Sequence, residues 1–348
     1  MNDSEHDLGG LDPQPDPGWR QPAEWATHAT CWMGWPGHAW WDDFRPEAEA
    51  AFVALVRAIG EGEGVRVLAR PAWVERARAV LGGAARVQAA RVGDVWLRDT
   101  GPVFVEGPDG LAAATFRFNG WGGKYLYEGD TQVAGQIAAI VGALRVSHPF
   151  TLEGGAVDVD GNGTALTTRE CLLNPNRGVA DEARWADRLE DALGVRHVIW
   201  LDQGLAFDHT DGHIDGVARF VAPGTVVRVE SSGADDPHHE RLLAVAHDLE
   251  GATDADGNRL AVVPLPSPGA VHAPDGSLVP ASYANFYIAN HAVIVPTFGV
   301  PADDEACGVL RALFPGRRVV ALDARPLIVG GGAFHCMTQQ QPEPAGDA

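Results

Sequence analysis

Forty-two glycines and 24 prolines punctuate this chain so densely that a long helix or a coiled coil is excluded. They cut 348 residues into short elements joined by tight turns. Between the turns one unit recurs, an amphipathic helix followed by a short apolar strand. Ala50, Val53, Ala54, Val56 and Ile59 lie near helical spacing, which predicts a helix over 46–59, stopped by Gly60 and followed by a strand over 65–69. Further helices are predicted over 71–81, 131–141, 180–193 and 302–314. Strands are predicted over 103–106, 197–201, 319–322 and 326–329. This pattern is α/β, and periodicity alone leaves the arrangement of the units open. Apolar residues make up 45% of the chain, enough for a large core. No linker divides residues 22–342, so they are expected to form a single domain. The polar start lacks the basic and apolar runs of a signal peptide. Residues 1–21 are expected to be a disordered lead and 343–348 a disordered tail.

Charge narrows the partners. Asp and Glu number 47 against 26 Lys and Arg, a net charge of −21. Such a chain repels phosphate backbones and anionic membrane surfaces and attracts a small cation. With one lysine, Lys124, Schiff-base chemistry has a single candidate. The four cysteines, Cys31, Cys171, Cys307 and Cys336, have no C-x-x-C spacing, which argues against a disulfide framework or a structural zinc site. No run of about 18 apolar residues is present to span a membrane. A cytoplasmic protein is expected. The stretch from Asp158 to Gly163 opens like a calcium loop, but Arg169 stands where the last ligand should be Glu, so a hairpin turn is expected there. No dinucleotide fingerprint, Walker A loop or G-x-S-x-G elbow occurs.

Five segments are dense in glycine, tryptophan and acids: W-L-R-D-T-G-P (96–102), N-G-W-G-G-K (119–124), L-E-G-G (152–155), D-H-T-D-G-H-I-D (208–215) and G-G-G-A-F-H-C (330–336). Glycine lets backbone approach a ligand closely. Cys336 follows three glycines and His335, a place suited to presenting a nucleophile. A buried cysteine is more often only a small hydrophobe, the reading that fits the other three. His213 and Asp215 point to one face if their segment is extended. They could bind a metal or supply a base and a carboxylate. Asp99 and Glu153 add acids beside glycine, and each also reads as a turn cap or a solvated charge. A thiol, an imidazole and several carboxylates in an acidic protein suit a guanidinium. Carboxylates orient it, a thiolate attacks its carbon, and His supplies the proton that lets ammonia leave.

Together these segments resemble the agmatine deiminase and bacterial-type peptidylarginine deiminase family. The resemblance extends to P-A-E-W (22–25), T-C-W-M-G-W-P (30–36), L-T-T-R-E-C-L-L-N-P-N-R (166–177), P-A-S-Y-A-N-F-Y (280–287) and H-C-M-T-Q-Q-Q-P (335–342), in order from about residue 22 to 342. It implies the pentein fold, a five-bladed α/β propeller of ββαβ-like modules around a central site. It also implies roles: Cys336 as nucleophile, His213 as general acid and base, Asp99 and Asp215 as guanidinium-binding carboxylates, and Glu153 beside the histidine. Trp96 and Trp121 would wall the aliphatic chain, and Asp211 or Asp208 would receive a distal ammonium. Agmatine would give N-carbamoylputrescine and ammonia, with no metal or organic cofactor, and a homo-oligomer stays open. Two departures bear on the distal group of the substrate. Ala333-Phe334 replaces Asn-Ile, and His209 replaces an acid that would meet a cationic tail. A protonated His209 would repel that tail. The alternatives are another guanidine (free or C-terminal peptidyl arginine), an amidinotransferase, a metal-dependent amidohydrolase, and a non-catalytic ribosome-binding pentein.

Overall fold

The computed structural model describes residues 18–108 and 110–344. Among these residues five small sheets share one plan: an antiparallel strand pair, a connection, then a third strand parallel to the second. The strands, in chain order, are β1 (His28–Gly34), β2 (Gly64–Ala69), β3 (Arg86–Ala89), β4 (Val103–Gly107), β5 (Gly110–Arg117), β6 (Leu144–Thr151), β7 (Val157–Val159) and β8 (Thr164–Thr168). There follow β9 (His197–Leu201), β10 (Ala218–Ala222), β11 (Thr225–Glu230), β12 (Ala261–Pro266), β13 (Tyr287–Ile288), β14 (Ala292–Thr297), β15 (Arg318–Asp323) and β16 (Thr338–Pro342). The sheets run β4-β5-β6, β7-β8-β9, β10-β11-β12, β13-β14-β15 and β16-β1-β2-β3. In the last sheet the C-terminal strand supplies the antiparallel partner of β1, Met33 facing Thr338 and Trp32 facing Gln339. The chain thus joins its two ends within one module. This is the five-bladed pentein propeller.

Local chemistry explains each unit. The helix Glu182–Leu193 is capped by Asp181, whose side chain accepts from the Arg184 N–H, and ends at Gly194 with φ 71°. Its buried residues Trp185, Leu189, Ala192 and Leu193 follow the helical period and turn one face inward. Like the helices Arg45–Ile59, Val133–Val141, His239–Asp248 and Ala302–Leu313, it makes the crossover into a parallel strand, which a hairpin cannot make. The hairpin expected at Asp158–Gly163 forms: Asp160 Oδ1 accepts from the N–H groups of Asn162 and Thr164 at 2.7 and 2.9 Å.

A single short turn precedes the first strand of every sheet: Leu97–Thr100, Gly154–Ala156, Ile214–Gly216, Tyr283–Asn285 and Phe334–Met337. Each turn touches the next, and the fifth touches the first. They form a closed ring, and the site is built on it.

Three expectations are corrected. Residues 326–329 are not a strand: Arg325–Ile328 is a helical turn, with the Ala324 carbonyl accepting from the N–H groups of Leu327 and Ile328. The turn lets both side chains reach the core. The start of the expected helix over 131–141 is a 3-10 turn, Asp130–Gln132, before Val133–Val141. Of the expected lead, 1–17 lies outside the described residues, while 18–21 is tied down: Trp19 is buried and Arg20 pairs with Glu106. At the other end Glu343 donates its N–H to Thr27, and 345–348 lies outside the described residues. Among the described residues no helix is long and apolar enough to cross a membrane.

Candidate active site

The ring of turns gathers the predicted residues. Cys336, half-buried on Phe334–Met337, has its Sγ 3.1 Å from Asn285 Nδ2 and 3.5 Å from Asp215 Oδ2. Asp99 on Leu97–Thr100 accepts from Trp121 Nε1 at 2.8 Å through one oxygen and from the Gly155 N–H at 2.9 Å through the other. His213 does not sit in an extended segment with Asp215, as its spacing suggested. It is the residue before the turn Ile214–Gly216 that carries Asp215. His213 Nδ1 lies 3.8 Å from Asp99 and Nε2 lies 4.0 Å from Glu153. Gly155 sits in the middle: a Cβ there would lie 2.6 Å from His213 Nδ1 and 2.8 Å from Asp99 Oδ1. Only a residue without a side chain lets these groups converge.

Burial and charge set the protonation states. Burial, together with the charges of Asp215 and Glu153, pushes the Asp99 carboxyl up to about 8. Asp215 is equally buried but is pulled down to about 2 by the hydrogen bond and charge of His335. Burial lowers His213 to about 3, so its imidazole is neutral in the empty site, and neither ring nitrogen has a hydrogen-bond partner. The Cys336 thiol is raised by burial and by the nearby carboxylates of Asp215 and Asp99. Two carboxylate sites and a protonated thiol await a cation.

Above Cys336 opens a cavity of about 310 Å³, walled by Trp40, Trp96, Trp121, Tyr125 and Tyr127. Trp96 and Trp121 both line this cavity, and Trp121 holds φ 53°, a left-handed backbone unusual for a tryptophan. That conformation aims its indole N–H at Asp99. A smaller hollow of about 20 Å³, room for one water, also borders Cys336 and is lined by His213, Asp215 and Asn285.

Asp211 is the exception among the predicted residues. Its carboxylate pairs with Lys124, with Arg177 Nη1 at 2.7 Å and with Asn176 Nδ2 at 2.9 Å, and it does not line the cavity. Already neutralised, it is not free for a substrate ammonium. Asp208 is also spent, accepting from the Thr210 N–H, the Thr210 hydroxyl and the His213 N–H. His209 does line the cavity, but burial and the Lys124 charge lower its pKa below the usual 6.5, so it is neutral at pH 7 and the repulsion expected of it is absent. Ala333 and Phe334 are fully buried and do not line the main cavity, so this departure does not touch the distal end.

Sequence reasoning passed over the supports. Glu153, fully buried, accepts from Arg177 Nε at 3.0 and 3.1 Å. His335 Nδ1 lies 2.6 Å from Asp215 and its Nε2 2.8 Å from Glu24. Glu24 also takes Arg219 Nη2 at 2.6 Å, and Arg219 Nε reaches Asp158 at 2.7 Å. Glu24, Arg177 and Asn285 all lie in segments that carried the family resemblance, yet nothing local marked their partners. Among the described residues one group has metal-ligand types, Glu153, Cys171 and His213, within 4.8 Å of one another. The Arg177 guanidinium on Glu153 and the burial-raised Cys171 thiol oppose a dication there.

Comparison with known proteins agrees with this geometry. Residues 20–342 match the family model for Porphyromonas-type peptidyl-arginine deiminase. An agmatine deiminase of Stutzerimonas stutzeri is 41% identical, with 94% of this chain and 96% of that protein covered. One of Medicago truncatula is 38% identical over 93% of this chain and 96% of its own. The solved agmatine deiminase of Enterococcus faecalis superposes with a TM-score of 0.89 at 32% identity, covering 94% of this chain and 96% of that one. With ring, cavity and nearly the whole length in common, the chain belongs to the Porphyromonas-type peptidyl-arginine deiminase family and is a hydrolase of C–N bonds.

Proposed function

We propose that this protein deiminates agmatine, giving N-carbamoylputrescine and ammonia, with Cys336 as the nucleophile. One observation carries the choice of substrate. The cavity above Cys336 is aromatic and acidic, with Asp94 and Asp99 on its wall, and among the described residues no Lys or Arg lines it. A guanidine with an α-carboxylate would find no cation to pair with, and burying an unpaired carboxylate is costly. A guanidine on an apolar chain ending in an ammonium fits the indole and phenol walls. The relatives named agmatine deiminase support the same reading.

The mechanism follows from the protonation states. The guanidinium enters between Asp99 and Asp215, which match its N–H donors. Its charge favours thiolate at Cys336, and neutral His213 takes the thiol proton. The sulfur bonds to the guanidinium carbon. Protonated His213 then gives that proton to one amino group, which leaves as ammonia. A cationic S-amidino intermediate remains on Cys336. A water in the hollow beside His213 loses a proton to the imidazole and attacks the same carbon. The C–S bond breaks, the imidazolium proton returns to sulfur, the hydroxyl proton of the adduct passes to solvent or the departed ammonia, and the neutral ureido product leaves. Glu153, held by Arg177, stands 4.0 Å from His213 Nε2 and would stabilise the imidazolium by its charge.

The test compares agmatine, free arginine and a peptide ending in arginine by kcat/KM. Agmatine is expected to lead by at least about tenfold, or 1.4 kcal/mol. A lead by arginine or the peptide removes the agmatine assignment and leaves deimination standing.

A further inference from the structure

The thiol of Cys336 has a poor electrostatic setting for a nucleophile. Asp215 Oδ2 is 3.5 Å from its Sγ, and the charges of Asp99 and Asp208 also act against a thiolate. Among the described residues no cationic side chain hydrogen-bonds to the sulfur. One neutral residue does. Asn285, 6% exposed on the turn Tyr283–Asn285, points its Nδ2 at Cys336 Sγ, 3.1 Å away, and at Asp215 Oδ2, 3.2 Å away. Its Oδ1 accepts from the backbone N–H groups of Cys336 at 3.3 Å and Ala333 at 3.2 Å. The two N–H groups it accepts from fix which end of the amide is which, so the amino group must face the sulfur.

We propose that Asn285 is a further catalytic residue: its amide N–H groups hold the sulfur's charge during attack and shield it from Asp215, while its carbonyl oxygen locks the turn that carries the nucleophile. This rests on the assignment of Cys336 as nucleophile. The donor is most valuable twice, when the thiolate forms and when it is released from the intermediate, because both moments place negative charge on sulfur. Donors already aimed at developing charge need no reorganisation. Asn285 itself is buried, which strengthens the hydrogen bond its amide gives the sulfur. Among the influences on the thiol, the Asn285 hydrogen bond is the one that opposes burial and the three aspartates.

The carboxyl groups of Asp215, Asp99 and Asp208 act on the thiol, His213 lines the same small hollow as Cys336, and His335 is bonded to Asp215 and Glu24. Asn285 does not titrate, so Asn285→Ala changes the thiol without adding a proton-binding group, whereas Asn285→Asp replaces the donor with a carboxylate. A charge-assisted hydrogen bond corresponds to one to two pH units of thiol acidity, so at fixed pH the thiolate fraction falls by about 10- to 100-fold without it.

The experiment measures two things on Asn285→Ala and Asn285→Asp in the full chain: kcat/KM for agmatine, and the rate of Cys336 alkylation by iodoacetamide in the substrate-free enzyme at one near-neutral pH. Alkylation reads the thiolate and is insensitive to the alignment of a guanidinium. In both variants kcat is expected to fall on the order of 100-fold and alkylation to slow by at least about tenfold. Asn285→Asp keeps the shape and the acceptor, and it covers the case in which the alanine variant does not fold. Unchanged alkylation in a folded variant overturns the proposal, whatever happens to kcat, because Asn285 would then only position the turn. An alkylated residue other than Cys336 in the wild type would instead fail the nucleophile assignment itself, a distinguishable result.

Discussion

Asp99 should lose a proton when substrate binds. Its carboxyl is held up to about 8 in the empty site by burial and by Asp215 and Glu153. At pH 7 a group with that value is protonated in about 90% of molecules, at pH 8 in about half, and at pH 9 in about 10%. A guanidinium placed against it favours the carboxylate, so its folded-state value falls on binding. Binding therefore releases about 0.9 proton at pH 7 and about 0.1 at pH 9. By linkage, affinity gains roughly tenfold per unit as pH rises toward 8 and then levels off. The assay is calorimetric titration of agmatine into Cys336→Ser, in buffers of different ionisation enthalpy. The serine stops turnover and removes the thiol proton from the count. His213, already neutral with a value of about 3, takes no part between pH 6 and 9. Asp99→Asn in the same background should bind weakly with no proton release near pH 7. Tight binding at pH 7 with no proton released in the parent would refute the reasoning, because Asp99 would then already be ionised in the empty site.

Other perturbations have defined outcomes. Trp121→Phe removes the indole N–H from Asp99, a charge-assisted bond of about 1.5–3 kcal/mol, and should raise KM for agmatine by at least about tenfold in steady-state assays. Arg177→Met leaves Glu153 and Asp211 without their shared cation, and denaturant unfolding should register a loss of about 3–5 kcal/mol. His335→Gln withdraws the partner that pulls Asp215 down to about 2. The Asp215 carboxyl then titrates at higher pH, so affinity present above that pH is lost as pH falls, and the acid limb of kcat/KM should move upward. Lys124→Met releases His209 from a cationic neighbour, and kcat/KM for agmatine at neutral pH should change by less than about tenfold.

Much of this was readable in the residues, for physical reasons. The helix Arg45–Ile59 and the hairpin at Asp160 are set by spacing and by one side chain bonding its own backbone, both local effects. The glycine run before Cys336 and the L-E-G-G segment announced close approach, and Gly155 is where three functional groups meet. What stayed hidden is non-local. Glu24 reaches His335 across 311 positions, and no local pattern encodes that pairing. Asp211 looked available because its neutralising Lys124 is 87 residues away. The segment at 326–329 read as a strand because its residues are apolar. Arg325–Ile328 instead coils back on the Ala324 carbonyl, and burial is satisfied equally well by a turn. The pairing of β16 with β1 is likewise invisible until the ring closes.

The central claim is that a covalent bond forms between Cys336 and the guanidinium carbon. Rapid acid quench of the enzyme turning over saturating agmatine, followed by intact mass measurement and peptide mapping, tests it most directly. The account predicts an adduct with the mass of agmatine less ammonia on the peptide containing Cys336, gone after substrate is exhausted. Absence of any adduct at every quench time, together with full turnover by Cys336→Ser, would contradict it.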